Sequence, residues 1–131
     1  MIGLDTNVLV RYLTQDDAVQ ARLATELIER RLDEANPGFI SVVAMVEIVW
    51  VLERAYGLCA AEIVSAVERI LQAAELIVQH EPEVFAAMAA MKVGRGTFAD
   101  ALIGALSQRA GCEVTVTFDR KALRLPGFAA P

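Results

Sequence analysis

The feature that most constrains the fold is an alternation of short apolar segments with longer segments of helical periodicity. The apolar runs have the length of buried strands: Ile2–Leu4, Phe39–Ile40, Leu76–Val78, Val114–Phe118 and a candidate edge strand at Leu125–Phe128. The stretches between the first four carry apolar residues at helical spacing, as at Val19, Leu23 and Leu27. Strands that alternate with helices pair in parallel. We therefore predict an α/β fold of three layers, with a central parallel β-sheet of about four to five strands and helices on both faces.

The composition limits the size and class of the protein. With 131 residues, the chain is predicted to form a single domain over residues 1–131. Hydrophobic residues make up 56%, above the roughly 45–50% of soluble domains. The longest apolar run, Val42–Leu52, is interrupted by Glu47 and is too short to span a membrane. We expect a cytoplasmic protein whose excess apolar surface is covered in a homodimer or by another partner.

Acidic residues occur at four places where the surrounding sequence is apolar. Asp5 and Asp119 each follow a predicted strand, and Asp100 lies in the first turn of a predicted helix. Glu47 lies in the middle of the apolar helix predicted for residues 42–56, so we expect it to be buried. The carboxyl ends of parallel strands meet at one edge of a sheet, where ligand sites gather. The four acids can therefore converge at that edge.

Two of these acids also have a simpler structural interpretation. Aspartate is a preferred N-cap, so Asp5 is a candidate cap for the helix that follows it. Thr97 and Asp100 have the spacing of a capping box. The sequence leaves both interpretations open.

Four clustered carboxylates repel one another unless a cation lies between them. Oxygen ligands favour hard cations such as Mg²⁺ or Mn²⁺, which can activate water and stabilise the leaving oxygen of a phosphodiester. The chain has no P-loop or nucleophile elbow, and its only histidine is His80. Cys59 and Cys112 lack the spacing of a zinc or redox site and are predicted to be core residues. Metal-assisted hydrolysis is the chemistry that remains.

The basic residues are unevenly distributed. The net charge is −5, but residues 1–91 hold 6 basic and 14 acidic residues, whereas residues 92–131 hold 6 basic and 3 acidic residues. A basic segment around isolated acids is suited to bind phosphates, and a solvated basic surface is the alternative. The candidate phosphate-binding residues are Lys92, Arg95, Arg120, Lys121 and Arg124.

Four sequence motifs, taken in order, resemble those of the PIN-domain ribonucleases: Asp5–Leu9, Ser41–Glu47, Phe98–Ile103 and Thr117–Arg120. The resemblance covers essentially the whole chain and is greatest to the VapC-like toxins of bacterial and archaeal toxin–antitoxin pairs. It implies a PIN-like three-layer fold and an endoribonuclease that hydrolyses single-stranded or loop RNA with Mg²⁺ or Mn²⁺. It also implies a small cognate antitoxin protein that covers the acidic site.

The resemblance assigns roles to individual residues. The catalytic and metal-binding acids would be Asp5, Glu47, Asp100 and Asp119, and the basic residues named above would contact the RNA. Thr6 or Asn7, and Thr117, would assist through hydrogen bonds. The chain departs from many family members at Thr97 and Lys121, where they carry further acids. These departures leave open whether one or two metal ions bind.

Three alternatives share features with this chain. A receiver-like metal-binding signalling module needs an acidic pair after its first strand, but Asp5 is single and Asp16-Asp17 lies too far downstream. A haloacid-dehalogenase-like phosphatase needs Asp-x-Asp, where this chain has Asp5-Thr6-Asn7. The third alternative is a PIN fold that binds RNA or a partner without cleaving it. The presence of all four acids argues against that alternative.

Overall fold

The computed structural model describes all of residues 1–131 and contains six α-helices and five short strands. The helices are α1 (Thr6–Thr14), α2 (Ala18–Glu26), α3 (Val42–Arg54), α4 (Ala60–Gln72), α5 (Glu81–Lys92) and α6 (Phe98–Arg109). The strands are β1 (Ile2–Gly3), β2 (Gly38–Ile40), β3 (Leu76–Val78), β4 (Thr115–Val116) and β5 (Phe128–Ala129). A π-helical turn covers Leu27–Arg31, and a 3-10 turn covers Ala122–Arg124. None of the helices combines the length and the apolar character needed to cross a membrane.

The chain forms two compact units, and the first, Met1–Glu81, is built on a parallel sheet of three strands in the order β1, β2, β3. Ile2 pairs with Gly38, which in turn pairs with Leu76. Gly38 is required by close packing, because a Cβ there would lie 2.7 Å from Leu4 Cδ1 and 2.8 Å from Leu32 Cδ1. The large, fully buried core side chains of this unit are Leu9, Ile28, Ile40, Met45, Ile48, Leu52, Val67 and Ile70. Each contributes roughly 1.5–3 kcal/mol to folding by leaving water.

The second unit, Pro82–Pro131, contains α5, α6 and the two-stranded parallel sheet of β4 and β5. The larger buried core side chains of this unit are Val84, Met88, Phe98, Leu102 and Leu125. Gly104 lets α6 approach the end of the chain closely, because a Cβ there would lie 2.5 Å from Phe128 Cε2. The C-terminal strand is therefore packed on α6.

The predicted α/β class with parallel strands is confirmed. The five strands are divided between sheets of three and two, whereas the sequence predicted one central sheet. The second sheet forms because the C-terminal segment pairs with β4: the N–H of Thr115 donates to Gly127 O at 2.8 Å, and the N–H of Thr117 donates to Ala129 O at 3.0 Å. The single domain over residues 1–131 stays a prediction.

The prediction that the two cysteines are core residues is wrong, since Cys59 and Cys112 are both exposed. Cys59 is the N-cap residue of α4, where its N–H donates to Glu62 Oε1 at 3.0 Å. Cys112 follows the end of α6, and its N–H donates to Ser107 O at 3.0 Å. Both residues lie at helix ends, where the chain is at the surface.

Candidate active site

Asp5 lies where β1 ends and α1 begins. Its backbone is extended, and its Oδ1 accepts a hydrogen bond from the N–H of Thr6 at 2.8 Å, so Asp5 is the N-cap of α1. The residue is exposed, and its carboxylate forms no ion pair. The cap interpretation is therefore correct. It uses one carboxylate oxygen and leaves the other available to a ligand.

Thr6, the next residue, carries a buried hydroxyl. Only 8% of Thr6 is exposed, and its Oγ1 has no hydrogen-bond partner. A buried polar group without a partner costs about 1–3 kcal/mol. The fold therefore keeps a buried hydroxyl beside Asp5 that stability alone does not require. Asn7 follows with an exposed side chain.

Glu47 is exposed, so the prediction that it is a buried acid is wrong. Its helix, α3, has a buried side made of Ala44, Met45, Ile48, Val49 and Leu52. The other side carries Glu47 between two exposed apolar residues, Val43 (65% exposed) and Trp50 (59% exposed). Neighbouring elements cover only one side of α3. Because the exposed side also carries apolar residues, the sequence did not show which side is buried.

Asp100 lies in the first turn of α6. The Oγ1 of Thr97 accepts a hydrogen bond from the N–H of Asp100 at 3.1 Å, so Thr97 is the N-cap. The Asp100 carboxylate accepts no hydrogen bond in return and forms no ion pair. Only half of the predicted capping box is therefore present, and the carboxylate itself is not used by the cap.

Asp119 follows β4 in a tight turn. The Oγ1 of Thr117 accepts a hydrogen bond from the N–H of Asp119 at 3.0 Å, and Asp119 Oδ1 accepts one from the N–H of Lys121 at 2.8 Å. These bonds fix the backbone and one carboxylate oxygen of Asp119. Thr117 therefore positions the main chain of Asp119, and its assisting role in the reaction stays a prediction.

The five candidate phosphate-binding residues are all exposed and all belong to the second unit. Lys92 ends α5, Arg95 lies in the loop before α6, and the others lie in or beside the 3-10 turn. The two segments adjoin, because a Cβ at Gly96 would lie 2.9 Å from Leu125 Cδ1. Gly96 follows Arg95, and Leu125 follows Arg124. The loop that carries Arg95 therefore lies next to the segment that carries Arg124.

The four acids are distributed equally between the units: Asp5 and Glu47 belong to the first, and Asp100 and Asp119 to the second. No group of three or more His, Cys, Asp or Glu side chains is arranged to hold a metal ion. The donors nevertheless suit a hard divalent cation, since all four are carboxylates without a basic partner and Thr6 adds an unpartnered hydroxyl. The residues therefore fit Mg²⁺ or Mn²⁺ in their chemistry, and their convergence stays a prediction.

A family model described as PIN domain matches residues 2–127. The match includes the four acids and the residues expected to assist them. The chain belongs to the PIN domain family. PIN domains are generally nucleases, and PIN nucleases generally use divalent metal ions. Comparison with curated proteins gives no match to this chain. The family favours the PIN interpretation over the receiver-like and phosphatase alternatives.

The PIN domain also contains a polar cluster that the sequence did not predict, formed by Arg11, Asp16 and Tyr56 and called here the Asp16 cluster. Arg11 Nη1 donates to Asp16 Oδ1 at 3.0 Å and to the Tyr56 hydroxyl at 2.8 Å, and that hydroxyl donates to Asp16 Oδ2 at 2.6 Å. The Tyr56 hydrogen bond is the largest cause that lowers the pKa of Asp16 from 3.8 to about 2. Asp16 and Tyr56 are 40 residues apart, so no local pattern could reveal the cluster.

The second unit of the PIN domain also contains a cavity of about 630 Å³ that the sequence did not predict. Its lining includes Ala89, Ala90, Gly104 and Ala105 from the two helices, and Phe128 from β5. The signal in the sequence is the set of small residues on α5 and α6, which leaves space between elements that larger side chains would fill.

Proposed function

We propose that this PIN domain is a Mg²⁺- or Mn²⁺-dependent endoribonuclease, and that it is the toxin of a toxin–antitoxin pair related to the VapC-like proteins. Its substrate is single-stranded or loop RNA. The observation that carries the proposal is that each of the four acids at the family's motif positions presents a carboxylate without a basic partner. Carboxylates that served only to stabilise the fold would be expected to have partners, as Asp16 does.

In this proposal Asp5, Glu47, Asp100 and Asp119 hold the metal. Bound there, Mg²⁺ or Mn²⁺ would supply the Lewis acidity that activates water and offsets charge on the leaving oxygen, for a hydrolysis that leaves 5′-phosphate and 3′-hydroxyl ends. Thr117 fixes the main chain of Asp119, and the capping bond to Thr6 N–H orients the Asp5 carboxylate. The Thr6 hydroxyl offers a further oxygen beside Asp5. Lys92, Arg95, Arg120, Lys121 and Arg124 include the contacts to RNA phosphates.

The decisive variant is Asp5→Asn, because asparagine caps a helix about as well as aspartate and removes only the charge. We expect purified Asp5→Asn to keep its thermal stability and to lose cleavage of single-stranded RNA in Mg²⁺ or Mn²⁺. EDTA should abolish cleavage by the wild-type protein. Asp33→Asn is a matched control at an exposed acid outside the motifs. Undiminished cleavage by Asp5→Asn, or cleavage in excess EDTA, would contradict the proposal.

We also propose that the chain acts in the cytoplasm as a homodimer and binds a small antitoxin that blocks the acidic site. Fourteen large apolar side chains are exposed, among them Val19, Leu23, Phe85 and Ile103, which supports burial against partners. Light scattering should give twice the mass of the chain, and a protein from an adjacent small reading frame should inhibit cleavage when co-expressed. A monomer that no such protein inhibits would overturn this part.

A further inference from the structure

The cavity of about 630 Å³ in the second unit is lined by none of the four acids. It is bounded by α5, by α6 and by the C-terminal segment with β5, all of which belong to the same unit. Its volume lies within the roughly 300–1,000 Å³ of pockets that bind small molecules. Because protein interiors are otherwise close-packed, a space of this size between two helices needs an explanation.

The helix walls of the cavity are made of very small side chains. Ala89 and Ala90 line it from α5, and Gly104 and Ala105 line it from α6. Phe128 closes it on the side of β5 and lies close to the backbone of α6, as the missing Cβ of Gly104 requires. The helix walls carry no polar side-chain atom, and the backbone behind them is hydrogen-bonded within each helix. The interior of the cavity is therefore mainly apolar.

The charged residues that line the cavity lie at its two ends. Arg95 precedes α6 and Glu113 follows it. The 12 residues of α6 span roughly 18 Å, so the cavity is long and its ends are far apart. Both residues are exposed, and neither forms an ion pair. Arg95 is therefore available to an anion at one end, and Glu113 repels an anion from the other.

We propose that this cavity is a binding site for a small amphipathic anion, a free carboxylate with a single aliphatic chain. The chain lies along α6 between the small side chains, and the carboxylate binds Arg95. A guanidinium can bind a carboxylate through two parallel N–H···O hydrogen bonds. Each CH₂ group of the chain that leaves water favours binding. The distribution of charge thus fixes both the class of the ligand and its direction in the cavity.

A peptide segment of a protein partner fits the cavity less well. Each residue of a peptide carries a backbone N–H and C=O that need partners when they are buried. The alanines and the glycine of the helix walls offer none, so a peptide lying along them would leave these groups unpaired. An aliphatic chain has no polar group along its length, and its one charged group is at the end, where Arg95 lies.

The ligand would also regulate the proposed nuclease. Arg95 is a candidate contact of RNA phosphates, so the carboxylate and the RNA compete for one guanidinium. This consequence rests on the proposed RNA substrate. Loss of one phosphate contact should weaken the binding of single-stranded RNA about fivefold at roughly 0.1 M salt.

Displacement of a fluorescent probe measures binding in the cavity. N-phenyl-1-naphthylamine is neutral and fluoresces in apolar surroundings, so its emission should rise when the protein is added. Dodecanoate should displace it at a concentration roughly tenfold lower than dodecyltrimethylammonium, which has a chain of the same length and the opposite charge. Arg95→Gln should remove this preference and leave binding of the neutral probe unchanged. Equal displacement by the two detergents from the wild-type protein, or no rise in emission, would overturn the inference.

Filling the cavity gives a second measurement. Ala89→Leu and Ala105→Leu each place a larger side chain in the space for the ligand and should weaken dodecanoate binding roughly 5- to 150-fold. Ala60→Leu, at an exposed alanine of α4, is the matched control and should bind like the wild type. Circular dichroism establishes that each variant is folded. Folded variants that bind as tightly as the wild type would show that the ligand lies elsewhere. A changed oligomeric state with unchanged binding would assign the cavity to a protein interface and also overturn the inference.

The two cysteines report on the wild-type protein. Cys112 lines the cavity and is exposed, whereas Cys59 is exposed in the first unit. Saturating dodecanoate should slow the alkylation of Cys112 by N-ethylmaleimide and leave the rate at Cys59 unchanged, as measured by mass spectrometry of the labelled peptides. An unprotected Cys112 would contradict the proposed position of the ligand.

The result can be separated from that of the proposed endoribonuclease function. If the wild-type protein cleaves RNA but binds neither the neutral probe nor dodecanoate, the ligand site fails and the proposed function stands. If dodecanoate binds with the expected dependence on Arg95 but the protein neither binds nor cleaves RNA, the ligand site stands and the proposed function fails. If both hold, saturating dodecanoate should weaken RNA binding about fivefold in the wild type, but not in Ala105→Leu at the same concentration. RNA affinity that dodecanoate leaves unchanged in the wild type would overturn the competition at Arg95.

Discussion

Asp16 and Glu47 are both exposed acids of the first unit, yet their surroundings are opposite. The Asp16 carboxylate accepts hydrogen bonds from Arg11, from Tyr56 at 2.6 Å and from Thr14 at 2.9 Å. Glu47 lies on the exposed side of α3 between Val43 and Trp50 and has no ion pair. Exposure is therefore not what distinguishes the two acids, and the difference lies in the partners that the fold supplies.

The comparison separates an acid that stabilises the fold from one that is available to a ligand. Hydrogen bonds to the charged form of Asp16 exist only in the folded state, so they add to the free energy of unfolding. They also tie α1 to the segment that follows α3. Glu47 has no such contacts, and its removal should cost the fold little. The following predictions exploit this contrast, beginning with the largest expected effect.

Replacing Glu47 and Asp16 by their amides should have opposite effects on RNA cleavage and on thermal stability. Glu47→Gln should reduce metal-dependent RNA cleavage by roughly 10²–10⁴-fold, the range typical of a group that acts in the reaction, and leave the melting temperature unchanged. Asp16→Asn should lower the melting temperature and leave the cleavage rate unchanged once the protein is folded. Initial rates on one RNA and thermal melts of both variants test this. If Glu47→Gln cleaves RNA as fast as the wild type, Glu47 takes no part in cleavage, and its lack of partners does not mark a catalytic acid.

The Asp16 cluster should give stability a defined dependence on pH. Asp16 has a folded pKa of about 2 against an ordinary value of 3.8, so its contribution is fully present above pH 3.8 and is lost as pH falls through about 2. In that interval the unfolded chain binds a proton that the folded chain does not. Tyr56→Phe should raise the pKa of Asp16, because it removes the hydrogen bond with the largest effect. Urea midpoints across this pH range, with Asp16→Asn as control, should show that the variants lose less stability on acidification than the wild type.

The Thr6 hydroxyl is a neutral group that, like the Glu47 carboxylate, has no partner in the fold. Because its hydroxyl is buried without a partner, Thr6→Val should stabilise the metal-free protein by about 1 kcal/mol, while lowering RNA cleavage if the hydroxyl assists Asp5. Thermal melts in EDTA and cleavage rates in Mn²⁺ measure the two effects. Thr25→Val is a control at a hydroxyl that accepts a hydrogen bond from Gln15 at 3.2 Å. Destabilisation by Thr6→Val would mean that the hydroxyl serves the fold.

The contrast between partnered and unpartnered side chains also applies to the arginines, where we expect the smallest effect. Arg11 is held by Asp16, Tyr56 and Gln20, whereas Arg95 and Arg124 form no ion pair. Neutralising Arg95 and Arg124 to Gln should flatten the salt dependence of RNA binding by about 0.7 in log–log slope for each phosphate that is no longer neutralised. Arg22→Gln, an exposed change in the first unit, should leave the slope as it is. Equal slopes for all variants would remove these two residues from the set that binds RNA phosphates.

The sequence by itself determined the local elements of this protein. β3 was predicted at Leu76–Val78 and lies there, and Ser41 caps α3 by accepting a hydrogen bond from Ala44 N–H at 3.1 Å. The α/β class and the four acid motifs of the PIN family were also visible in the sequence. Caps, helical periods and strand runs depend on residues within three or four positions of each other, so a linear pattern suffices to find them.

Only the tertiary structure decided which surfaces are covered. α3 is apolar nearly all round, so its sequence could not show which face is buried. As a result, the sequence predicted that Glu47 is buried and gave no sign that Trp50 is exposed. The bond between Tyr56 and Asp16 and the pairing of β4 with β5 likewise join residues far apart in the chain. Burial and partnership depend on which distant segments meet, and that information is absent from any short window of sequence.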